Sequence, residues 1–144
     1  MNRIPKSLII YIDGASRGNP GHASYGISMR DEKENVVAEF NDYIGETTNS
    51  IAEYTALLKA LEEAKKMEAQ ELLIYTDSQL VSRQFEGIYK IKHEPLKILM
   101  GQIRELEKFF KRVTVKHLLR SSHPGNKRAD QLANIALNIR SLKS

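Results

Sequence analysis

The sequence of 144 residues contains no cysteine and no tryptophan. The lack of cysteine excludes disulfide bonds, thiolate zinc sites and cysteine nucleophiles, and it agrees with a reducing compartment. Long apolar runs are absent too: the charged start of the chain is followed by only five apolar residues, Leu8–Ile12, before Asp13. Because such a run is too short for a signal peptide or a membrane span, we expect a soluble, cytoplasmic protein with no membrane partner.

The chain also lacks long linkers, low-complexity tracts and repeats of roughly 20 to 50 residues. Its length suffices for one core that buries about two thirds of the unfolded surface, so we expect a single domain over residues 1–144 and a monomer. The 22 basic and 18 acidic side chains leave a net charge of +4. This surplus permits an acidic partner but does not identify one.

Apolar periodicity, turn residues and helix caps predict the element order βββαβααβα. In chain order, the predicted strands are Leu8–Ile12, Ala23–Arg30, Val36–Ile44, Glu71–Tyr75 and Val113–Leu119. Helices are predicted from the cap-forming cluster Thr47–Ser50 to about Met67, over Gln79–Phe85, from Pro95 to about Phe110, and from Gly125 to about Leu142. The first three strands should form an antiparallel meander, and the first helix can return the fourth strand parallel to the first by a right-handed crossover.

This order of elements places three acidic residues where they could lie close together. Asp13 ends the first predicted strand and precedes a glycine-rich loop, Asp77 follows the fourth strand, and Glu53 lies in the first turn of the first helix. If the first and fourth strands are neighbours, Asp13 and Asp77 lie at the same edge of the sheet, within reach of Glu53. Like charges that close together raise each other's pKa, so the arrangement is costly unless divalent cations neutralise it. Ligation by oxygen alone favours Mg²⁺ or Mn²⁺ over zinc.

Each carboxylate also has a purely structural interpretation. Asp13 could begin a turn at the strand end. The segment Ser50–Glu53 fits a capping box, in which the glutamate turns back to the serine amide. Asp77 or Ser78 could cap the following helix, and Asp130 could complement the dipole of the last helix. The residue pattern alone leaves these alternatives open.

Four segments together resemble the signature segments of the type 1 ribonuclease H family. In order, they are YIDGASRGNPG, TTNSIAEYTALLKAL, YTDSQLV and HPGNKRADQLAN, and the similarity extends from about Leu8 to Ala136. The resemblance implies a ribonuclease H-like α/β fold, with a five-stranded mixed sheet of three antiparallel and two parallel strands flanked by helices. It also implies endonucleolytic hydrolysis of the RNA strand of RNA/DNA hybrids, which leaves 5′-phosphate and 3′-hydroxyl ends.

The same resemblance implies a two-metal-ion mechanism with Mg²⁺, for which Mn²⁺ can substitute. The four acidic positions of the family fall on Asp13, Glu53, Asp77 and Asp130, and none is missing. Asp13 would bridge both ions, Glu53 and Asp77 would complete the shell of one, and Asp130 would bind the other. One ion would activate a water molecule and the other would stabilise the departing 3′ oxygen.

Further positions match residues with which the family binds its substrate. Minor-groove and 2′-hydroxyl contacts are implied for several of them, and a DNA-phosphate contact for Thr48. The 2′-hydroxyl is the group that distinguishes RNA from DNA. Turn and cap chemistry is the structural alternative for these polar residues. The complete substrate-binding set is Gly14, Ala15, Ser16, Asn19, Thr48, Asn49, Ser78 and Gln79.

The chain departs from the family pattern in a loop before the last acid. Many members carry a histidine ten residues before that acid, where this chain has Arg120. Either Arg120 is the cationic catalytic group of this loop, or His123 turns in from three residues away. The position relative to Asp130 favours Arg120, whereas a histidine before a proline is more often a solvated loop residue.

A second departure concerns the segment Gly87–Pro95, which is too short for the basic helix and aromatic cluster that some members use to hold the DNA strand. Lys90, Lys92 and His93 offer a reduced substitute. Together with the lack of tryptophan, this suggests weaker hybrid binding or a broader substrate range that includes double-stranded RNA.

Two other functions remain compatible with the residues. A different enzyme of the same architecture, such as a resolvase or an exonuclease, would share acids at strand ends but should lack the paired TDSQ and GNPG segments. A catalytically silent nucleic-acid-binding module is the non-enzymatic alternative. Metal-dependent cleavage of a labelled hybrid, compared with RNA duplex, DNA duplex and single strands, would separate all three.

Overall fold

The structure, a computed structural model, describes residues 6–143. The strands are β1 (Ser7–Gly18), β2 (Gly21–Arg30), β3 (Val36–Thr47), β4 (Glu71–Thr76) and β5 (Arg112–His117). The helices are α1 (Asn49–Lys66), α2 (Gln79–Phe85), α3 (Glu94–Glu107) and α4 (Pro124–Leu142). This succession confirms the predicted order βββαβααβα. Within residues 6–143, none of the helices combines the length and the hydrophobicity that crossing a bilayer requires.

All five strands join one mixed sheet in the order β3-β2-β1-β4-β5. The pairs β1/β2 and β2/β3 are antiparallel, whereas β1/β4 and β4/β5 are parallel. The fourth strand therefore returns beside the first and parallel to it, as the crossover argument predicted. The five-stranded mixed sheet flanked by helices is confirmed.

One face of the sheet packs on α1 in an apolar core, to which α3 adds by packing against α1. Ile10 and Ile12 of β1 are buried there together with Leu57 and Leu61 of α1. Helix α1 is rich in alanine, leucine, glutamate and lysine, which favour helix, and its apolar residues recur at helical spacing. The core thus holds the start of α1 against the centre of the sheet.

Helix α4 covers the opposite face over the antiparallel strands. A Cβ atom on Gly26 of β2 would lie 2.0 Å from the carbonyl oxygen of Ala129, so this close approach requires glycine. The hydroxyl of Ser24 donates a hydrogen bond of 2.6 Å to the carbonyl oxygen of Ala133. Because these contacts flank Asp130 on α4, they fix the position of its backbone against the sheet.

The prediction that the first strand ends at Asp13 is wrong. Strand β1 continues to Gly18, which pairs with Gly21 of β2. The parallel pairing with β4 does end where expected, at Ile12 opposite Thr76. From Asp13 onwards, β1 is therefore no longer paired with β4 but is still paired with β2. The sequence of Gly14–Gly18 is typical of a loop because it contains no run of apolar residues. In the structure, hydrogen bonds to β2 keep this segment extended.

The starts of α1 and α2 show whether Glu53 and Asp77 take part in helix capping. Helix α1 is capped by Thr48, whose Oγ1 accepts a hydrogen bond of 3.2 Å from the Ile51 amide. The capping-box interpretation of Ser50–Glu53 is therefore wrong, because the cap lies two residues earlier. Helix α2 is capped by Ser78, whose Oγ accepts a hydrogen bond of 3.2 Å from the Val81 amide. The cap interpretation is thus confirmed for Ser78, and Asp77 is not needed for it.

Candidate active site

Three carboxylates meet at the end of the parallel strand pair. Asp13 of β1, Glu53 of α1 and Asp77 behind β4 each offer one oxygen atom, and the three atoms lie within 4.8 Å of one another. Asp130 of α4 lines the same cavity, which has a volume of about 230 Å³. The structure thus brings together all four acids that the sequence singles out, from four separate elements.

The backbone explains how Glu53 reaches this point from a helix. Gly14 follows Asp13 in β1, and a Cβ atom at Gly14 would lie 2.3 Å from the carbonyl carbon of Ala52. The first turn of α1 therefore touches the main chain of β1, which only glycine permits. With Thr48 as the cap, the Glu53 side chain is directed to the cavity and not back to the helix start.

Burial and mutual repulsion shift the ionisation of these acids. Burial, followed by the charge of Asp77 and a hydrogen bond to Asp130, raises the pKa of Asp13 to about 9. Burial also raises the pKa of Glu53 to about 7, although a hydrogen bond from Ser78 opposes this rise. Burial raises the pKa of Asp77 as well, against the attraction of Arg120. Without a cation, the cluster therefore retains protons that isolated carboxylic acids would lose.

This donor set fits a hard divalent cation. All of its members are carboxylates, which are the ligands that Mg²⁺ and Mn²⁺ prefer, and neither histidine nor cysteine is among the described residues that line the cavity. A cation at the cluster would displace the retained protons and compensate the repulsion. Buried like charges that have no other function are a cost to folding, so the cluster is best explained as a metal site.

Asp130 is held by neighbours on both sides. The side-chain amide of Asn134, one turn along α4, donates hydrogen bonds of 3.0 Å to the Asp130 carbonyl oxygen and 3.4 Å to Oδ1. Arg120 Nη2 lies 3.8 Å from the same Oδ1, and the Arg120 side chain is 76 % exposed. The guanidinium is thus next to the cluster and largely exposed to solvent.

His123 has a different environment. It caps α4, where its Nδ1 accepts a hydrogen bond of 2.9 Å from the Gly125 amide. Its ring stacks on Tyr11 at a centroid distance of 4.9 Å, and Nε2 lies 3.4 Å from the Tyr11 hydroxyl. The described residues that line the acidic cavity include Arg120 and not His123. Of the two candidates, Arg120 thus lies at the acidic cavity, whereas His123 caps α4 outside it.

Four of the eight predicted substrate-binding residues line the acidic cavity, whereas Asn19, Thr48, Ser78 and Gln79 are not among its described lining residues. Gly14, Ala15, Ser16 and Asn49 line the cavity, and the Asn49 amide donates a hydrogen bond of 3.0 Å to Asn19 Oδ1. Thr48 and Ser78 are the helix caps described above. Gln79 begins α2 and is exposed. Their contacts with a substrate stay predictions.

Three further residues line the cavity and were missed at the level of sequence: Arg17, Asn134 and Leu137. Asn134 and Leu137 follow Asp130 by four and seven residues, which places them on the same face of α4. Arg17 alternates with Ala15 and Asp13 along β1, so it shares their side of the strand. The sequence does not reveal this alternation, because no run of apolar residues marks the strand beyond Asp13.

A mixed sheet with acids at the end of its parallel pair defines the ribonuclease H-like class of α/β proteins. A family model described as "Reverse transcriptase-like" matches residues 11–136. The chain is 41% identical over 128 residues to the ribonuclease HI of Halobacterium salinarum, covering 89% of this chain and 63% of that protein. It is 39% identical over 132 residues to the bifunctional protein Rv2228c of Mycobacterium tuberculosis, covering 91% of this chain but only 35% of the relative.

A solved structure shows the same architecture. The crystal structure of LC11-RNase H1 in complex with an RNA/DNA hybrid has 38% sequence identity and a TM-score of 0.87, and the match covers 93% of this chain and 99% of that one. The chain therefore belongs to the type 1 ribonuclease H family. It spans about a third of the length of the mycobacterial relative.

Proposed function

We propose that this protein hydrolyses the RNA strand of RNA/DNA hybrids endonucleolytically and leaves 5′-phosphate and 3′-hydroxyl ends. The observation that carries the proposal is the cluster of Asp13, Glu53 and Asp77, whose oxygen atoms lie within 4.8 Å of one another beside Asp130. The fold shared with a ribonuclease H1 that was crystallised on an RNA/DNA hybrid supports this choice of substrate.

The four acids would hold two Mg²⁺ ions, or Mn²⁺ in their place. Asp13 would contact both ions, Glu53 and Asp77 would complete the site of one, and Asp130 would hold the other. When bound, the ions supply Lewis-acid activation of the attacking water and charge stabilisation for the leaving oxygen. The assignment agrees with the structure, in which the first three acids form one group and Asp130 contacts Asp13 from α4.

The remaining residues of the site orient and hold these acids. Ser78 donates a hydrogen bond to Glu53 while its own oxygen caps α2, so the carboxylate and the helix share one anchor. Asn134 holds Asp130. Arg120 lies beside Asp130 and can neutralise charge on the cleaved strand there. Release of the product is the step that this exposed cation would assist.

Recognition of RNA would come from the strand and turn beside the cluster. The backbone of Gly14–Ser16 lines the cavity, and Asn19 holds the amide of Asn49 at its rim. Groups in these positions can contact 2′-hydroxyls on consecutive ribonucleotides. Only the eight residues 86–93 separate α2 from α3, and they include the exposed Lys90 and Lys92. We propose double-stranded RNA as an additional, weaker substrate because this short segment offers little to select DNA as the second strand.

The test is cleavage of an end-labelled RNA/DNA hybrid beside RNA duplex, DNA duplex and single strands, with Mg²⁺, with Mn²⁺ and with a chelator. Internal cuts in the RNA of the hybrid that require metal are expected, and Asp13→Asn should abolish them. Glu32→Gln is the matched control, because it removes an exposed carboxylate outside the acidic cavity. Cutting from one end only would indicate an exonuclease. Binding of the hybrid without cleavage by the parent protein would refute the proposal and indicate a silent binding module.

A further inference from the structure

A groove continues from the acidic cavity along the end of α4. Arg17 and Leu137 line both the acidic cavity and a neighbouring cavity of about 110 Å³. Arg140 lines this second cavity and a third one of about 310 Å³, which reaches Lys143. Because adjoining cavities share these residues, they form one depression that begins at the catalytic acids. We call the part lined by Arg17, His22, Tyr43, Leu137, Arg140 and Lys143 the α4 groove.

The charge of the α4 groove is opposite to that of the acidic cavity. It contains three permanent cations, Arg17, Arg140 and Lys143, and the titratable His22. Asp42, at the far end, is the one acid among its described lining residues. Glu46 lies outside the lining, and its carboxylate is 3.7 Å from the His22 ring. A polyanion that leaves the acidic cavity in this direction therefore meets positive charge.

Two of the three permanent cations of the groove, Arg17 and Arg140, are held in place by their neighbours. Arg17 Nη2 donates a hydrogen bond to Asn138 Oδ1 on α4. The Arg140 guanidinium lies over the Tyr43 ring at 5.1 Å, and the Tyr43 hydroxyl is 2.8 Å from His22 Nδ1. Side chains fixed in this way lose less conformational entropy when they bind a ligand than free side chains do.

We propose that the α4 groove binds backbone phosphates of the strand that is cut, beyond the scissile bond. From Leu137 to Lys143 the helix advances by about 9 Å at roughly 1.5 Å per residue. A nucleic-acid strand carries one phosphate per about 3.4 Å of axial rise, so about three phosphates fit this length. The identity of the strand rests on the proposed function, since the strand at the acids is the one that is hydrolysed.

Basic residues near a helix C-terminus also have a structural explanation, because they complement the helix dipole. That explanation accounts for Arg140 and Lys143 at the end of α4. It does not account for Arg17, which lies on β1 and joins the groove to the acidic cavity. The two explanations predict different effects when the charges are removed. The helix-dipole explanation predicts a loss of thermal stability, and phosphate binding predicts a loss of affinity for nucleic acid.

The test compares the double variant Arg140→Ala/Lys143→Ala with Arg112→Ala/Lys116→Ala, both on an Asp13→Asn background that blocks cleavage. The second pair removes the same charge from exposed residues of β5, outside both the acidic cavity and the α4 groove. The ligand is a duplex with about four consecutive ribonucleotides in one strand, which fix the register, and DNA elsewhere. Circular dichroism and Tm establish that each variant is folded.

The substitutions Arg140→Ala/Lys143→Ala should weaken binding by about tenfold. They should also reduce the magnitude of the slope of log affinity against log salt concentration by roughly two. The β5 pair should lose at most about twofold, because it changes only the distant field of the protein. Equal losses for both pairs, or a lower Tm of the first pair at unchanged affinity, would overturn the proposal.

A protein–phosphate cycle locates the contact. Three neighbouring phosphates are replaced by neutral methylphosphonates, on either side of the ribonucleotides or in the complementary strand. We expect an effect at only one of these places, on one side of the ribonucleotides in the cut strand. There the replacement should weaken binding of the Asp13→Asn protein about tenfold. Binding of the Arg140/Lys143 variant should weaken less than about twofold, because its phosphate contacts are already lost. Additive losses at every position would refute the groove. Failure of the proposed function would appear separately, as a parent protein that does not cleave this duplex with Mg²⁺.

Discussion

The backbone nitrogen of Glu53 lies 2.3 Å from the place that a Cβ atom on Gly14 would occupy. Gly14 is thus the contact through which β1 brings α1, and with it the second acid, to the site. Any larger residue must push the start of α1 away from the sheet.

We therefore expect Gly14→Ala to lower both stability and activity. The added methyl group meets main-chain atoms that cannot move aside, and such overpacking costs about 1–3 kcal/mol. Gly101→Ala in α3 is the control, since nothing lies within 4 Å of its Cβ position and alanine favours helix. Urea denaturation and hybrid cleavage measure the two effects. Full stability and activity of Gly14→Ala would mean that α1 does not depend on this contact.

In the metal-free protein, stability should fall as the pH rises from about 4 to about 9. The pKa of Asp13 is raised from 3.8 to about 9 on folding, so in this range the native state holds a proton that the unfolded chain has lost. Stability falls with pH wherever the native state binds more protons. Glu53 adds to the slope between 4.5 and about 7.

Urea denaturation at several pH values in the presence of a chelator measures this slope. Asp13→Asn should flatten it, because the amide does not titrate, and Mg²⁺ should restore the stability of the parent protein at high pH. A stability of the chelated parent that rises between pH 5 and 8 would contradict the assigned ionisation.

Arg120 and His123 should affect different properties. Arg120→Ala is expected to slow turnover by about one to two orders of magnitude, the lower part of the range for a positioned catalytic group, with little effect on Tm. His123→Ala removes the cap of α4 and should cost about 1 kcal/mol of stability with little effect on turnover. Steady-state kinetics and thermal unfolding of both variants decide the matter.

The pH profile is an independent check of the same pair. A guanidinium stays charged over the working range, whereas an unperturbed imidazole titrates at about 6.5. A titration near neutral pH that disappears in His123→Ala and persists in Arg120→Ala would assign the catalytic role to His123 after all.

Cleavage should require several consecutive ribonucleotides. If Gly14–Ser16, Asn19 and Asn49 contact 2′-hydroxyls on neighbouring nucleotides, a single ribonucleotide within DNA satisfies too few of them. We expect it to be cut at least about tenfold more slowly than a run of about four, which end-labelled chimeric duplexes measure. Comparable rates for both would show that the site reads one sugar only.

The order of the elements and the four candidate acids can be predicted from the sequence alone. Apolar spacing predicted the strands and helices, with α2 matched residue for residue, because periodicity records which side chains are buried. The ordered segments around Asp13, Glu53, Asp77 and Asp130 indicated the family. Local pattern failed at β1, where it ended the strand at Asp13, since the pairing of Gly14–Gly18 with β2 leaves no apolar trace.

The contacts of the polar residues near the acids cannot be predicted without the tertiary structure. Thr48 and not Ser50 caps α1, which leaves Glu53 free for the site. His123 is held by Gly125 and Tyr11, whereas Arg120 lies beside Asp130. Arg17 enters the site only because β1 continues past the acids. Spacing along the chain cannot settle such questions, because a polar side chain can bond to its own backbone or to a distant partner, and packing selects between them.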